Sequence, residues 1–134
     1  MTVRKAKPDD AAEILREDRW ISPQELARKI AAGQVLVLEA EGTPAGFLRY
    51  GLFWDSIPFM NMLRVRESCR GKGYGSRLVS EWEREMKRQG FHGVMTSTAA
   101  SETAQHIYQK LGYTAVGSFF PPGEPLEPIL FKAL

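Results

Sequence analysis

The apolar positions along the chain follow two different periods, and the change from one to the other predicts the elements. Gln34 to Glu41 and Ala45 to Trp54 are apolar-rich runs of strand length, and Gly42-Thr43-Pro44 between them predicts an antiparallel hairpin. Asp55-Ser56 and Pro58 then turn the chain into a third long strand, Ile57 to Val65. From Tyr74 to Gln89 the period becomes helical: Tyr74, Leu78, Val79, Trp82 and Met86 form one stripe, with Trp82 and Met86 expected in the core, and Gly90 closes it.

Elements on either side complete the pattern. Val3 to Ala6 predicts a first strand, and Asp9 and Asp10 put negative charge at the start of a helix running to about Arg19. Ser22, Pro23 and Glu25 predict a capped second helix, with a capping box, that Gly33 stops. After Gly90 come a strand over Gly93 to Thr98, a helix over Ser101 to Leu111, and strands over Tyr113 to Phe120 and Leu126 to Phe131. Pro128 predicts an edge or a bulge for the last of these. The order βααβββαβαββ describes one α/β domain over residues 1–134 with a mixed sheet.

Composition narrows the class of function. With 18 basic and 16 acidic residues the net charge is +2, too balanced for nucleic acid as the main partner. Positive potential is therefore expected to be local, at Arg64, Arg66, Arg70, Lys72 and Arg77. Cys69 is the only cysteine, so no internal disulfide forms. With His92 and His106 as the only histidines, no metal-ligand spacing exists, and no metal is expected. The N-terminus has no apolar signal core, and no apolar run approaches the roughly 20 residues of a membrane helix. No membrane partner and a cytoplasmic location are expected. The assembly is left open between a monomer and a homodimer.

The chemistry is concentrated between the third strand and the long helix. Gly71, Gly73 and Gly75 let the backbone turn tightly and bring N–H groups to a ligand without a Cβ in the way. The helix start that follows leaves amides unpaired and carries partial positive charge, which suits a pyrophosphate. Arg70 and Lys72 add charge. A Walker A loop requires G-x-x-x-x-G-K-[ST], and no such run occurs. A dinucleotide loop requires G-x-G-x-x-G, but Ser76 occupies the third glycine position, and the next strand ends in Thr96-Ser97-Thr98 rather than in an acidic residue.

Arg70-x-x-Gly73-x-Gly75 after a strand resembles the acetyl-CoA pyrophosphate loop, [QR]-x-x-G-x-[GA], of the GCN5-related N-acetyltransferase (GNAT) family. A second signature of that family, roughly N-x-x-A-x-x-x-Y-x-K-x-G-[FY], is matched by Ala104, Tyr108, Lys110, Gly112 and Tyr113, with Ser101 where family members often carry Asn. The resemblance covers essentially the whole chain. It implies an acyl-CoA N-acyltransferase fold: a mixed, mostly antiparallel sheet with a splayed parallel strand pair, flanked by helices. It implies acetyl-CoA as cofactor, with pantetheine between the strand of Met60 to Val65 and that of Gly93 to Thr98, against the backbone of Leu63, Arg64 and Val65. The pyrophosphate would meet Arg70, Gly71, Lys72, Gly73, Tyr74, Gly75 and Ser76, and Ser101 and Tyr108 would face the cofactor arm.

Acetyl transfer to an amine requires a neutral amine, a stabilised oxyanion and a proton for the departing thiolate. An alkyl ammonium of pKa about 10.4 must first lose a proton. By the resemblance, Tyr108 is the general acid, and a backbone amide near Leu63 holds the oxyanion. For the base, Asn61 is the only inward polar option on its strand, and Asp55, Glu102, Glu124, Glu127 or a water chain remain open. Phe53-Trp54-Asp55 and Phe59-Met60 form an aromatic cluster beside a turn. Trp54, Asp55, Phe59 and Glu124 are the expected contacts of an amine acceptor, a cationic small amine or a peptide amine. Two other readings are a non-catalytic acyl-CoA-binding sensor of the same fold and a basic nucleic-acid module over Arg64 to Arg77. The latter predicts binding that falls steeply with salt.

Overall fold

A computed structural model describes residues 1–99 and 104–134. The chain runs through β1 (Thr2–Lys5), a 3₁₀ turn (Pro8–Asp10), α1 (Ala11–Glu17), α2 (Pro23–Ala31), β2 (Val35–Ala40), β3 (Thr43–Phe53), β4 (Ile57–Val65), a second 3₁₀ turn (Glu67–Cys69), α3 (Tyr74–Arg88), β5 (Gly93–Ser97), α4 (Ala104–Lys110), β6 (Thr114–Phe119) and β7 (Glu127–Ala133). The strands form one seven-stranded sheet in the order β1-β2-β3-β4-β5-β7-β6. β4 and β5 are parallel, while β1/β2, β2/β3, β5/β7 and β6/β7 are antiparallel. This is the mixed, mostly antiparallel sheet the sequence predicts.

The chain groups into two compact units, residues 1–51 with 62–82 and residues 52–61 with 83–134. In the first, β2 is buried on both faces, which is why Val35-Leu36-Val37-Leu38 reads as an unbroken apolar run. Ile14, Leu26 and Ile30 of α1 and α2 pack with Val35, Val37 and Phe47. Leu78, Val79 and Trp82 of α3 are also buried, with Trp82 5.8 Å from Tyr50. The end of α1 is fixed by a buried ion pair, Arg49 Nε donating to Asp18 at 2.6 Å. β3 and β4 approach closely at Gly46, where a Cβ would lie 2.8 Å from the Arg64 carbonyl oxygen.

In the second unit, α4 brings Tyr108 edge-on to Tyr113, their rings 5.6 Å apart. The buried Tyr113 hydroxyl donates to Glu83 at 2.8 Å, and Lys132 reaches the same carboxylate at 2.7 Å. Burial first, and the Glu83 charge second, push the Tyr113 phenol far above its ordinary value.

Three local expectations change. The β2–β3 turn is Glu41-Gly42, both at positive φ (55° and 76°), and Thr43 and Pro44 already pair within β3. Ser22 caps α2 by accepting from the Glu25 amide, but the Glu25 carboxylate turns to Arg28 instead of completing a capping box. Pro128 lies on β7, an interior strand between β5 and β6, near its start, where its carbonyl accepts from the Thr98 amide. The irregularity falls instead on the partner strand, between Ala115 and Gly117.

Candidate functional site

The loop between β4 and α3 has the geometry of an anion cradle. Gly71 and Gly73 adopt φ of 79° and 81°, a left-handed backbone that other residues rarely take. A Cβ added at either would meet nothing within 4 Å, so the outer side of the loop is open for a ligand. The first intrahelical bond of α3 runs from the Arg77 amide to the Gly73 carbonyl. The amides of Tyr74, Gly75 and Ser76 thus have no acceptor within the helix and carry the positive end of its dipole. Leu63 and Val65 of β4 lie 3.8 and 3.7 Å from where a Gly75 Cβ would be, so this glycine seats the helix start against the strand end.

The expected basic cluster is mostly neutralised. Arg64 pairs with Glu17, Arg66 with Glu13 and Arg77 with Glu81. Arg70 and Lys72 are exposed and have no carboxylate partner among the described residues; Arg70 Nε donates to the Val65 carbonyl at 3.1 Å, bracing its side chain over the loop. Two cations, glycine backbone and the amides of a helix start match a pyrophosphate in charge and in donors.

Upstream of the loop, β4 is only partly paired with β5. Among the described residues the parallel register consists of Phe59 with Met95 and Met60 with Thr96, and the Thr96 hydroxyl donates to the Met60 carbonyl at 3.0 Å. β4 continues from Asn61 to Val65 beyond the last pair. The Arg64 side chain turns to α1, which leaves its backbone for any cofactor contact. Asn61 is exposed rather than inward-facing.

Tyr108 is buried, at 7% exposure, on α4. Ser101 and Glu102, expected on the same helix, lie outside the described residues. The acceptor-side expectations divide. Trp54 stacks on Phe53 at 4.9 Å and Phe53 lies 6.3 Å from Phe59, so the aromatic cluster forms, with Met60 buried in the core instead. Glu124 is exposed in the β6–β7 turn, its amide donating to the Pro121 carbonyl at 3.1 Å. Glu127 is half-buried at the start of β7 and accepts from the Ser97 hydroxyl at 2.6 Å. That pairing joins residues 30 apart, and nothing in the sequence signals it.

The turn carrying Trp54 breaks a local rule. Trp54 and Asp55 have φ of 53° and 58°, and the Ser56 amide donates to the Phe53 carbonyl, which is a type I′ hairpin turn. Asp tolerates that region, whereas a bulky residue there costs about 1–3 kcal/mol.

A family model described as "Acetyltransferase (GNAT) family" matches residues 4–113. The chain belongs to the GNAT family.

Solved structures agree on the fold. Ribosomal-protein-alanine N-acetyltransferase from Brucella melitensis superposes with a TM-score of 0.85 at 21% identity, over 100% of each chain. YncA from Salmonella typhimurium, a putative acetyltransferase solved with its cofactor acetyl-CoA, gives 0.82 at 23% identity over 100% of this chain and 94% of its own. PaiA N-acetyltransferase from Thermoplasma acidophilum, solved with coenzyme A, gives 0.84 at 17% identity over 99% and 98%. No curated protein matches in sequence.

Other features of this GNAT chain do not compete with the loop. A groove is lined by Ile14, Val37, Pro44 and Phe47, but its charged rim is internally paired: Asp10 with Arg4, Glu13 with Arg66, Glu17 with Arg64. Among the described residues no group of His, Cys, Asp and Glu is arranged to hold a metal, and no helix is long and apolar enough to cross a membrane.

Proposed function

We propose that this chain transfers an acetyl group from acetyl-CoA directly to a primary amine. The observation that carries the proposal is the loop: open glycines at 71 and 73, the unbonded amides of α3, and Arg70 and Lys72 without carboxylate partners. These groups would hold the pyrophosphate, with Lys72 and Arg70 neutralising it. The unpaired stretch of β4 supplies backbone donors and acceptors for the pantetheine arm at Leu63, Arg64 and Val65. Ser101 belongs to the same assignment through the family motif.

Acetyl-CoA supplies an activated thioester. The N–C bond forms as the C–S bond breaks, and the proton lost by the amine balances the one the sulfur gains. Tyr108 is proposed to donate that proton from its phenol to the sulfur, which its motif register and its buried position support. Trp54, Asp55, Phe59 and Glu124 are proposed to border the acceptor. We take residues 1–134 as one domain, since the sheet draws strands from both compact units. A cytoplasmic setting fits a chain whose lone thiol needs no oxidising compartment. A homodimer would use β6, an edge strand exposed throughout and free of charged residues, because a neutral strand can pair with its own copy without like-charge contacts. Sedimentation would give a monomer mass if that assignment is wrong.

The test of the central proposal is release of free thiol from acetyl-CoA that depends on an added amine. Release with at least one amine of a broad panel is expected. Tight CoA binding without any amine-dependent release would make the chain a non-catalytic acyl-CoA-binding domain instead.

A further inference from the structure

We propose that the Trp54–Asp55 turn binds an ammonium group of the acceptor that does not react, so that the acceptor is a diamine or longer polyamine. Two turns of the chain share the same backbone. Glu41-Gly42 and Trp54-Asp55 both place two residues at positive φ between neighbouring strands. The first uses glycine at its second position, as the geometry favours. The second uses no glycine, and puts a tryptophan at its first position, where a positive φ strains a bulky side chain.

Packing does not account for that choice. Trp54 is 77% exposed, so its indole contributes little to any core. Its ring lies 4.9 Å from that of Phe53, tilted by 35°, and most of the indole stays open to solvent. The contrast with Trp20, also exposed, is informative: the Arg19 guanidinium covers that ring at 5.3 Å. Among the described residues no lysine or arginine covers Trp54. The Asp55 carboxylate beside it has no hydrogen-bond or ion-pair partner among the described residues, and it is the only charged group in the stretch Leu52 to Asn61. An exposed indole beside an unpaired carboxylate, in a stretch of chain without lysine or arginine, has the chemistry of an ammonium site.

Which ammonium follows from the reaction. A cation held by an indole face and a carboxylate is stabilised in its protonated form. A protonated amine has no lone pair with which to attack a thioester. The nitrogen at this turn is therefore not the nucleophile, and the acceptor carries a second nitrogen that is. This identification of the substrate rests on the acetyl-transfer proposal; the cation site itself does not.

The experiment separates the two. Tetramethylammonium, which cannot be acetylated, is titrated into the full-length protein while the indole N–H resonance of Trp54, assigned with Trp54→Phe, is followed by NMR. A saturable shift is expected, absent with the neutral compound of the same shape, 2-methyl-2-propanol. No shift with the cation, or equal shifts with both, overturns the site. In the transfer assay, 1,4-diaminobutane is expected to show a lower KM than 4-amino-1-butanol. Trp54→Ala should raise the diamine KM roughly fivefold to thirtyfold and Asp55→Asn about twofold to fivefold, both without weakening acetyl-CoA binding. Equal KM values for the two amines overturn the substrate assignment. Cation binding with no transfer to any amine would sink the acetyl-transfer proposal and leave the site standing. Trp54→Gly guards against a purely structural role: it should raise Tm by about 3–5 °C while raising the diamine KM. A fall in Tm would show that the tryptophan is there for stability, and would overturn the argument.

Discussion

The glycine loop before α3 and the Trp54-Asp55 turn before β4 use the same left-handed backbone in opposite ways. At Gly71 and Gly73 the residue type fits the conformation, and the missing side chains leave open space where a ligand belongs. At Trp54 the residue type opposes the conformation, and the side chain projects into solvent. Under the proposed assignments the loop would recognise its ligand by backbone, with side chains removed, and the turn by a side chain, with the backbone bearing the strain.

The largest effect that would test this contrast is at Gly73. Gly73→Val should reduce acetyl-CoA affinity by more than about a hundredfold in calorimetry, because the new side chain occupies the space of the pyrophosphate. An unchanged affinity would sink the assignment of the loop. The protein itself should tolerate the added volume, since nothing lies within 4 Å of the new Cβ, leaving only the backbone strain. Trp54→Gly is the mirror experiment, with the opposite sign on stability.

Next in size is Tyr108→Phe. It should lower kcat by roughly tenfold to a hundredfold, with the dissociation constant for acetyl-CoA changed by less than about twofold. A parallel loss in binding would instead mean that the phenol packs against the cofactor rather than donating a proton.

A buried position gives the control for both exposed regions. Tyr113→Phe removes the hydrogen bond to Glu83 and should cost roughly 1–2 kcal/mol in urea unfolding at neutral pH. The pH dependence has a definite sign. The folded phenol titrates above its ordinary value, so on raising the pH past about 10 the unfolded chain loses this proton first. The stabilisation is complete below that pH and declines above it. A wild-type midpoint that does not fall relative to Tyr113→Phe between pH 9 and pH 11 would contradict the burial and charge effects described.

The smallest expected effect is on Cys69, half-buried at the end of the turn that precedes the loop. Saturating acetyl-CoA should slow its alkylation severalfold. Equal rates with and without cofactor would place the ligand elsewhere.

Much of this molecule was legible beforehand, for reasons that particular residues make plain. The stripe from Tyr74 to Met86 and the capping Ser22 are local signals, and both elements formed where the pattern predicted. The Gly42-Thr43-Pro44 turn is tightened to Glu41-Gly42, with Glu41 at a positive φ that no propensity argument anticipates. Pro128 suggested an edge, yet β7 is interior, because the chain order of strands does not fix their order in the sheet.

By itself the sequence determined the element order, the α/β class and the glycine-rich turn before α3, because glycine spacing and apolar periodicity act over a few residues. Only the tertiary structure decided which charges remain available. Glu13, Glu17 and Glu81 neutralise three of the five cations around the loop, and two of those carboxylates come from α1, about fifty residues away in the chain. It also decided that Trp54 stands exposed on a strained turn. An exposed indole at positive φ is a property of backbone angles and surroundings, and neither is written in the spacing of residues.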